Sequence, residues 1–283
     1  MIDRGLAKNA NQIANIDIRL AGVQMAEFKA DEIALEVPVA LVYNGISHAV
    51  MMTTPADLEE FALGFSLSEG ILHDPNEISD VTCINEGKIG FTVHIQINQN
   101  RLADLKKRRR NMTGRTGCGL CGTESLKDAI RPVAKVKVFE INDYVIQKAL
   151  TILPIYQPLQ KLTGATHAAA WCDKEGNILL AREDVGRHNA LDKLIGALVK
   201  KGLARDQGFA LVTSRASYEM VQKCCSVGIS CLVAVSAPTM LAIDQAKEAG
   251  LLLVGFARNG RHIIYNNPAA ELKAHPALIA RLG

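Results

Sequence analysis

From Ala165 onward, short apolar runs alternate with longer stretches of helical periodicity, which limits the second half of the chain to a sheet covered by helices on its faces. Ala165 to Cys172 and Ile178 to Arg182 read as strands joined by an Asp-Lys-Glu-Gly turn, and a helix is expected from Arg187 to Lys201, closing at Gly202. Phe209 to Thr213, Cys231 to Val235 and Leu251 to Phe256 are strand-like, with helices from Ser217 to Val227 and through Ala242 to Ala249, ending at Gly250.

The first half is patterned differently. Val37 to Tyr43 and Ser47 to Met52 flank Asn44-Gly45, a hairpin signal. A helix should follow, capped by Thr54, with Pro55 at its first position, Leu58, Phe61, Ala62 and Phe65 on one face, and Gly70 at its end. Phe91 to Ile97 alternates as a strand, and a basic helical segment comes next. The expected fold class is α/β: an N-terminal extension with the first strands over 1–35, an α+β domain over 36–155 and a layered α/β domain over 156–283. At 283 residues, with 48% apolar and 22% charged side chains, the chain can bury a sizeable core.

Composition excludes several classes. No apolar run approaches the ~18 residues of a membrane span, and residues 1–15 lack the apolar stretch of a signal peptide. Seven unevenly spaced cysteines do not form a secreted disulfide framework, so a cytoplasmic protein with reduced thiols is expected. A net charge of only +3 and 5% aromatic residues argue against a dedicated nucleic-acid binder. The signatures of phosphate-loop and dinucleotide sites are missing, and His167-Ala168-Ala169 lacks the glutamate a zinc nucleoside deaminase needs.

The chemistry concentrates between Gly114 and Gly122, where Gly-Arg-Thr-Gly-Cys-Gly-Leu-Cys-Gly places Cys118 and Cys121 in a glycine-rich loop spanning 113–123. Seven Lys or Arg against one acid, Asp104, lie between Arg101 and Arg115, and neighbouring cations raise the thiolate fraction of a cysteine. This suits sulfur or redox chemistry. The spacing also fits half of a structural zinc site, a thioredoxin-like switch or an unreactive loop, but no second compact Cys or His pair completes a zinc site. Cys83, Cys172 and Cys231 sit singly in apolar surroundings and read as buried structural thiols, and adjacent Cys224 and Cys225 suit zinc poorly.

Polar clusters fall at strand ends and helix starts, where α/β sheets bind ligands. They are Thr166-His167, Glu183 to Asn189 with His188, Thr213-Ser214-Arg215, Ser236 to Thr239, and Arg258-Asn259-Gly260-Arg261. Singly, each has a structural reading: a cap for Ser236 and Thr239, a core histidine for His167, a hairpin turn for Asn259-Gly260. Together they favour a polar pocket, and Arg258 and Arg261 beside a bare glycine suit a phosphate or pyrophosphate.

These residues carry a resemblance. Gly114 to Gly122, Thr163 to Ala170, Glu183 to Lys193, Ser214 to Lys223 and Val254 to Arg261 resemble, in this order, the FdhD family of formate dehydrogenase accessory sulfurtransferases, over about Glu36 to Tyr265. The resemblance implies a sulfur carrier. A cysteine desulfurase would load Cys118 with a persulfide, Cys121 would assist transfer, and the sulfur would pass to the molybdenum cofactor before that cofactor enters formate dehydrogenase. Phe256, Ala257, Arg258, Asn259, Gly260 and Arg261 would bind the bis-molybdopterin guanine dinucleotide form, with His167, His188, Ser214 and Arg215 as further candidates. The family also implies a homodimer, and a second domain resembling cytidine deaminase in fold without its metal site. The rival class is a non-enzymatic chaperone that holds the cofactor, its cysteine pair serving structure or zinc.

Overall fold

A computed structural model describes residues 12–20, 27–110 and 132–274; the loop carrying Cys118 and Cys121 lies outside the described residues. An antiparallel pair opens the chain, β1 (Ile13–Leu20) and β2 (Glu27–Ala34). β3 (Val37–Tyr43) and β4 (Ile46–Thr53) then form the expected hairpin, with Asn44 and Gly45 both left-handed at φ 46° and 79°. After α1 (Leu58–Ser68) come β5 (Ile78–Asn85) and β6 (Phe91–Ile97), completing a four-stranded sheet of order β4-β3-β6-β5. Its alternation is that of a one-sided sheet: Val39, Leu41, Tyr43, Val93 and Ile95 are buried, and their neighbours along each strand are less so.

The basic segment is α2 (Gln99–Arg110), anchored by buried Leu102 and Leu105. The chain then builds α3 (Asp143–Ile152), α4 (Pro158–Thr163), β7 (His167–Asp173), β8 (Ile178–Asp184), α5 (Arg187–Lys200), β9 (Gly208–Val212), α6 (Tyr218–Ser226), β10 (Cys231–Ala234), α7 (Met240–Ala249), β11 (Leu252–Arg258), β12 (Arg261–Asn266) and α8 (Pro268–Ala274). Six of these strands form one sheet of order β12-β11-β10-β9-β7-β8, in which β9, β10 and β11 run parallel and β7 is antiparallel to both neighbours. One face, with Ala169, Trp171, Ala210, Val212, Leu232 and Leu253, packs under α5, α6 and α7. The other, with Ala170, Phe209, Leu211, Val233 and Val254, packs against Val145, Ile146, Ala149 and Leu150 of α3. The protein is thus of mixed α/β class.

One apolar core runs from the four-stranded sheet through α1 into α5 and α6. The crossing of α1 and α5 depends on two glycines: a Cβ on Gly64 would collide with the Asp192 carbonyl, and one on Gly196 with the Glu60 carbonyl. Two buried ionic groups reinforce it. Lys223 Nζ lies 2.9 Å from Asp192 Oδ2 and from Glu69 Oε1, and 3.0 Å from Ser68 Oγ. Burial pushes the Lys223 ammonium down, but the Asp192 and Glu69 carboxylates more than reverse this and hold it above the ordinary lysine range. The second group centres on Asp184, described below.

Two expectations at the start of α1 change. Thr54 does not cap the helix and Pro55 is not its first residue; α1 begins behind Asp57, itself left-handed at φ 53°, with no side-chain cap. Thr54 is fully buried, and its backbone and hydroxyl are occupied by Asp184, Val185 and Lys193. A long-range polar network has taken the residue that the local pattern assigns to a cap.

Candidate functional site

Topology brings the polar clusters to one edge of the six-stranded sheet. Because β9, β10 and β11 are parallel, their carboxyl ends present Thr213 to Arg215, Val235 to Thr239 and Phe256 to Arg258 side by side. Because β7 is antiparallel to β9 and to β8, its start at His167 and the end of β8 at Asp184 reach the same edge, followed by the first turn of α5 with Arg187 and His188. Thr213 stitches the strands together there, its hydroxyl accepting from the Ala168 amide at 3.0 Å. The loops after β9 and β10 pair as well, through the Ala216 amide to the Ala237 carbonyl at 3.2 Å.

At the β7 end of this edge a cavity of about 360 Å³ is lined by Gln157, Gln160, Gly164, Ala165, Thr166, His167 and Thr213. Gln157 and Gln160 belong to α4 and the turn before it, which the helical pattern does not single out. His167 is half-buried; burial pushes its imidazole down, and the neighbouring Arg187 adds to the effect. His188 places Nε2 2.8 Å from Glu219 Oε2. Burial pushes the Glu219 carboxyl up, but His188 and Arg187 outweigh it and keep it below the ordinary range. Glu219 goes unnoticed in the sequence because a single acid in the first turn of a helix signals only a favourable helix dipole. Ser214 is buried and donates to the Arg215 carbonyl at 3.1 Å, while the Arg215 side chain is exposed.

Phe256 to Arg261 form the β11–β12 hairpin rather than part of the cavity. Arg258 pairs with Arg261 across the Asn259-Gly260 turn, where Gly260 has φ 82°. Arg258, Asn259, Gly260 and Arg261 are exposed, Ala257 is buried, and Phe256 adopts φ 46°, which a bulky residue rarely tolerates. The Phe256 amide donates to the Ser236 carbonyl at 3.0 Å, and a Cβ on Gly255 would crowd Pro238 and Tyr265. Among the described residues neither Arg258 nor Arg261 forms an ion pair. Three strand spacings, about 14 Å, separate β11 from β7, so cavity and hairpin could together meet only an extended ligand.

Much of the run from Glu183 to Asn189 is committed to the fold. Glu183 accepts from the Leu159 and Gln160 amides at 2.9 and 2.7 Å, closing the amino end of α4, and from the Thr166 hydroxyl at 3.0 Å. Asp184 meets Lys193 Nζ at 2.6 Å, the Thr54 amide at 3.0 Å, the Gly186 amide at 2.7 Å and Asn189 Nδ2 at 3.0 Å, with both side chains of the ion pair wholly buried. Asn189 also donates to the Met52 carbonyl at 2.8 Å. This group ties β4 and the entry to α1 to the turn that precedes α5. Thr239 caps α7 by accepting from the Ala242 amide at 3.3 Å.

Cys172, Cys224, Cys225 and Cys231 are buried, and burial pushes all four thiols up, Cys225 to about 12. Cys83 departs from its expected burial: it lies exposed on the edge strand β5, which packs against the core through Ile78 and Val81 near its start and is exposed from Thr82 onward. Its thiol is also pushed up, chiefly by partial burial and then by Glu59. Among the described residues no group of three or more His, Cys, Asp or Glu could hold a metal ion, and no helix is long and apolar enough to cross a membrane.

Fold and site together define a mixed α/β protein that gathers cationic and polar groups at the carboxyl edge of a parallel sheet. More narrowly, the chain belongs to the FdhD/NarQ family, whose model matches residues 34–271. It is 55% identical over 239 residues to the sulfur carrier protein FdhD of Cupriavidus necator, covering 84% of this chain and 83% of that one. It is 49% identical over 248 residues to the protein of that name from Bordetella petrii, covering 87% and 89%. In structure it resembles a putative formate dehydrogenase accessory protein from Desulfotalea psychrophila, with a TM-score of 0.74 over 91% of this chain and 98% of that one. At 22% identity, that likeness speaks for the fold.

Proposed function

We propose that this protein is a sulfurtransferase of formate dehydrogenase maturation, carrying sulfur as a persulfide on Cys118. The observation that carries the reading is the 55% identity, over 84% of the chain, with a protein named as a sulfur carrier. In the loading step the Cys118 thiolate attacks the terminal sulfur of a cysteine desulfurase persulfide. A sulfur–sulfur bond forms at Cys118 as the donor's breaks, and the donor leaves as a thiolate. Cys121, three residues on, is placed in sequence to assist release. The other thiols support this division: all five, including exposed Cys83, are shifted toward the protonated form, whereas Cys118 follows a dense run of cations.

The substrate that receives the sulfur is the molybdenum cofactor in its bis-molybdopterin guanine dinucleotide form. Arg258 and Arg261 suit its diphosphates through paired N–H donors, and the bare Gly260 backbone permits close approach. The cavity beside His167 and Thr213 lies on the same edge, within the span of so extended a ligand. The sulfurated cofactor would then pass to formate dehydrogenase, in the cytoplasm and from a homodimer. Replacing Cys118→Ala should abolish transfer of labelled sulfur from a desulfurase while leaving guanine-nucleotide binding within about twofold of wild type. Retained transfer would refute the assignment of Cys118.

A further inference from the structure

The Asn259-Gly260 turn is held from outside its own hairpin by α3. The Gly260 amide donates to Gln147 Oε1 at 2.8 Å. That contact fixes the orientation of the Gln147 amide, because an N–H must face an acceptor. Gln147 Nε2 therefore turns to His262 Nδ1, 3.1 Å away, and donates to it. Nδ1 must then be unprotonated, so the ring carries its proton on Nε2, which lies 3.0 Å from Asp143 Oδ1. The His262 side chain is only 9% exposed. One chain of hydrogen bonds thus runs from Asp143 through His262 and Gln147 to the tip of the hairpin, crossing from α3 to β12 and back.

The hairpin needs such a hold. Its register is irregular between Gly255 and Arg258, and its base turns through left-handed Phe256. The base is pinned by the Ser236 carbonyl and Arg258 pairs with Arg261 at the tip, but the irregular register between Gly255 and Arg258 separates that last pair from the regular ladder below it. We infer that Gln147, oriented by His262 and Asp143, is a positioning residue that sets the direction of the Asn259-Gly260 turn and so of Arg258 and Arg261 toward a diphosphate. The inference rests on the proposed use of this hairpin for the cofactor's guanine-nucleotide end.

The test is calorimetric titration of guanosine diphosphate onto the full chain. Gln147→Met keeps the side-chain volume without its polar atoms, and His262→Phe keeps the ring without its nitrogens. Each should weaken binding about fivefold, the effect of one hydrogen bond, with the melting temperature lowered by no more than a few degrees. The Gln147→Met effect should shrink when introduced into Arg258→Ala or Arg261→Ala, because it acts through those side chains. Wild-type affinity in both Gln147→Met and His262→Phe would overturn the inference, as would a Gln147→Met effect of full size in both arginine variants. Wild-type affinity in Arg258→Ala and in Arg261→Ala would instead overturn the cofactor reading, and this inference with it.

Discussion

Asp184 shows how a polar motif can serve the fold rather than the ligand. Its carboxylate is wholly buried, and its donors come from two stretches of chain: Gly186, Asn189 and Lys193 at the start of α5, and Thr54, 130 residues away. Lys193→Met would strand that charge in the core and should destabilise the protein by about 3–5 kcal/mol in urea unfolding. A loss below about 1 kcal/mol would mean the pair contributes little. Polar residues clustered before a helix look alike in sequence whether they face a ligand or each other. The run from Glu183 to Asn189 therefore reads as a site, and only the chain path shows that Glu183, Asp184 and Asn189 close a helix end and join two sheets while Arg187 and His188 remain at the edge. Gln147 illustrates the converse. A glutamine at a half-buried helical position carries no motif, and its importance comes from Gly260, more than a hundred residues away.

Among the elements, the contact of α1 with α5 holds the two sheets in one body. Both glycines at the crossing sit where a methyl group would meet the facing helix backbone. Gly196→Ala should cost about 2–3 kcal/mol, since an overpacked backbone contact can be relieved only by moving a helix. A wild-type urea midpoint would contradict this. The elements themselves were largely legible: the β3–β4 hairpin, β6, and the alternation from β7 through β11 follow from period and punctuation, with boundaries displaced by a residue or two. Strands β5 and β12 are not singled out by pattern, and β1 and β2 are expected only as undelimited strands within residues 1–35. β5 has no clean alternation because it is an exposed edge, and β12 follows a turn already read for its arginines. The helical glycines look like faults in a helix until its partner is known.

At the scale of the whole molecule, the strand order is what makes scattered motifs into one edge. No pattern within 283 residues states that β9 lies between β10 and β7, yet that arrangement places Thr213 against Ala168 and brings the ends of β8 and β11 to the same side. The expected polar clusters share one sheet edge but are not gathered into one pocket: Thr166, His167 and Thr213 line a cavity at the β7 end, and Arg258 and Arg261 lie on a hairpin at the β11 end. Burial pushes up the thiols of Cys172, Cys224, Cys225 and Cys231, and partial burial with Glu59 pushes up that of exposed Cys83, whereas the proposed carrier Cys118 follows a run of cations in sequence. The proposed persulfide on Cys118 can be read by intact and peptide mass spectrometry after incubation with a cysteine desulfurase and L-cysteine. The Cys118 peptide should gain one sulfur atom, and the gain should be absent in Cys118→Ala. No gain with an active desulfurase, or a gain mapped to another cysteine, would contradict it.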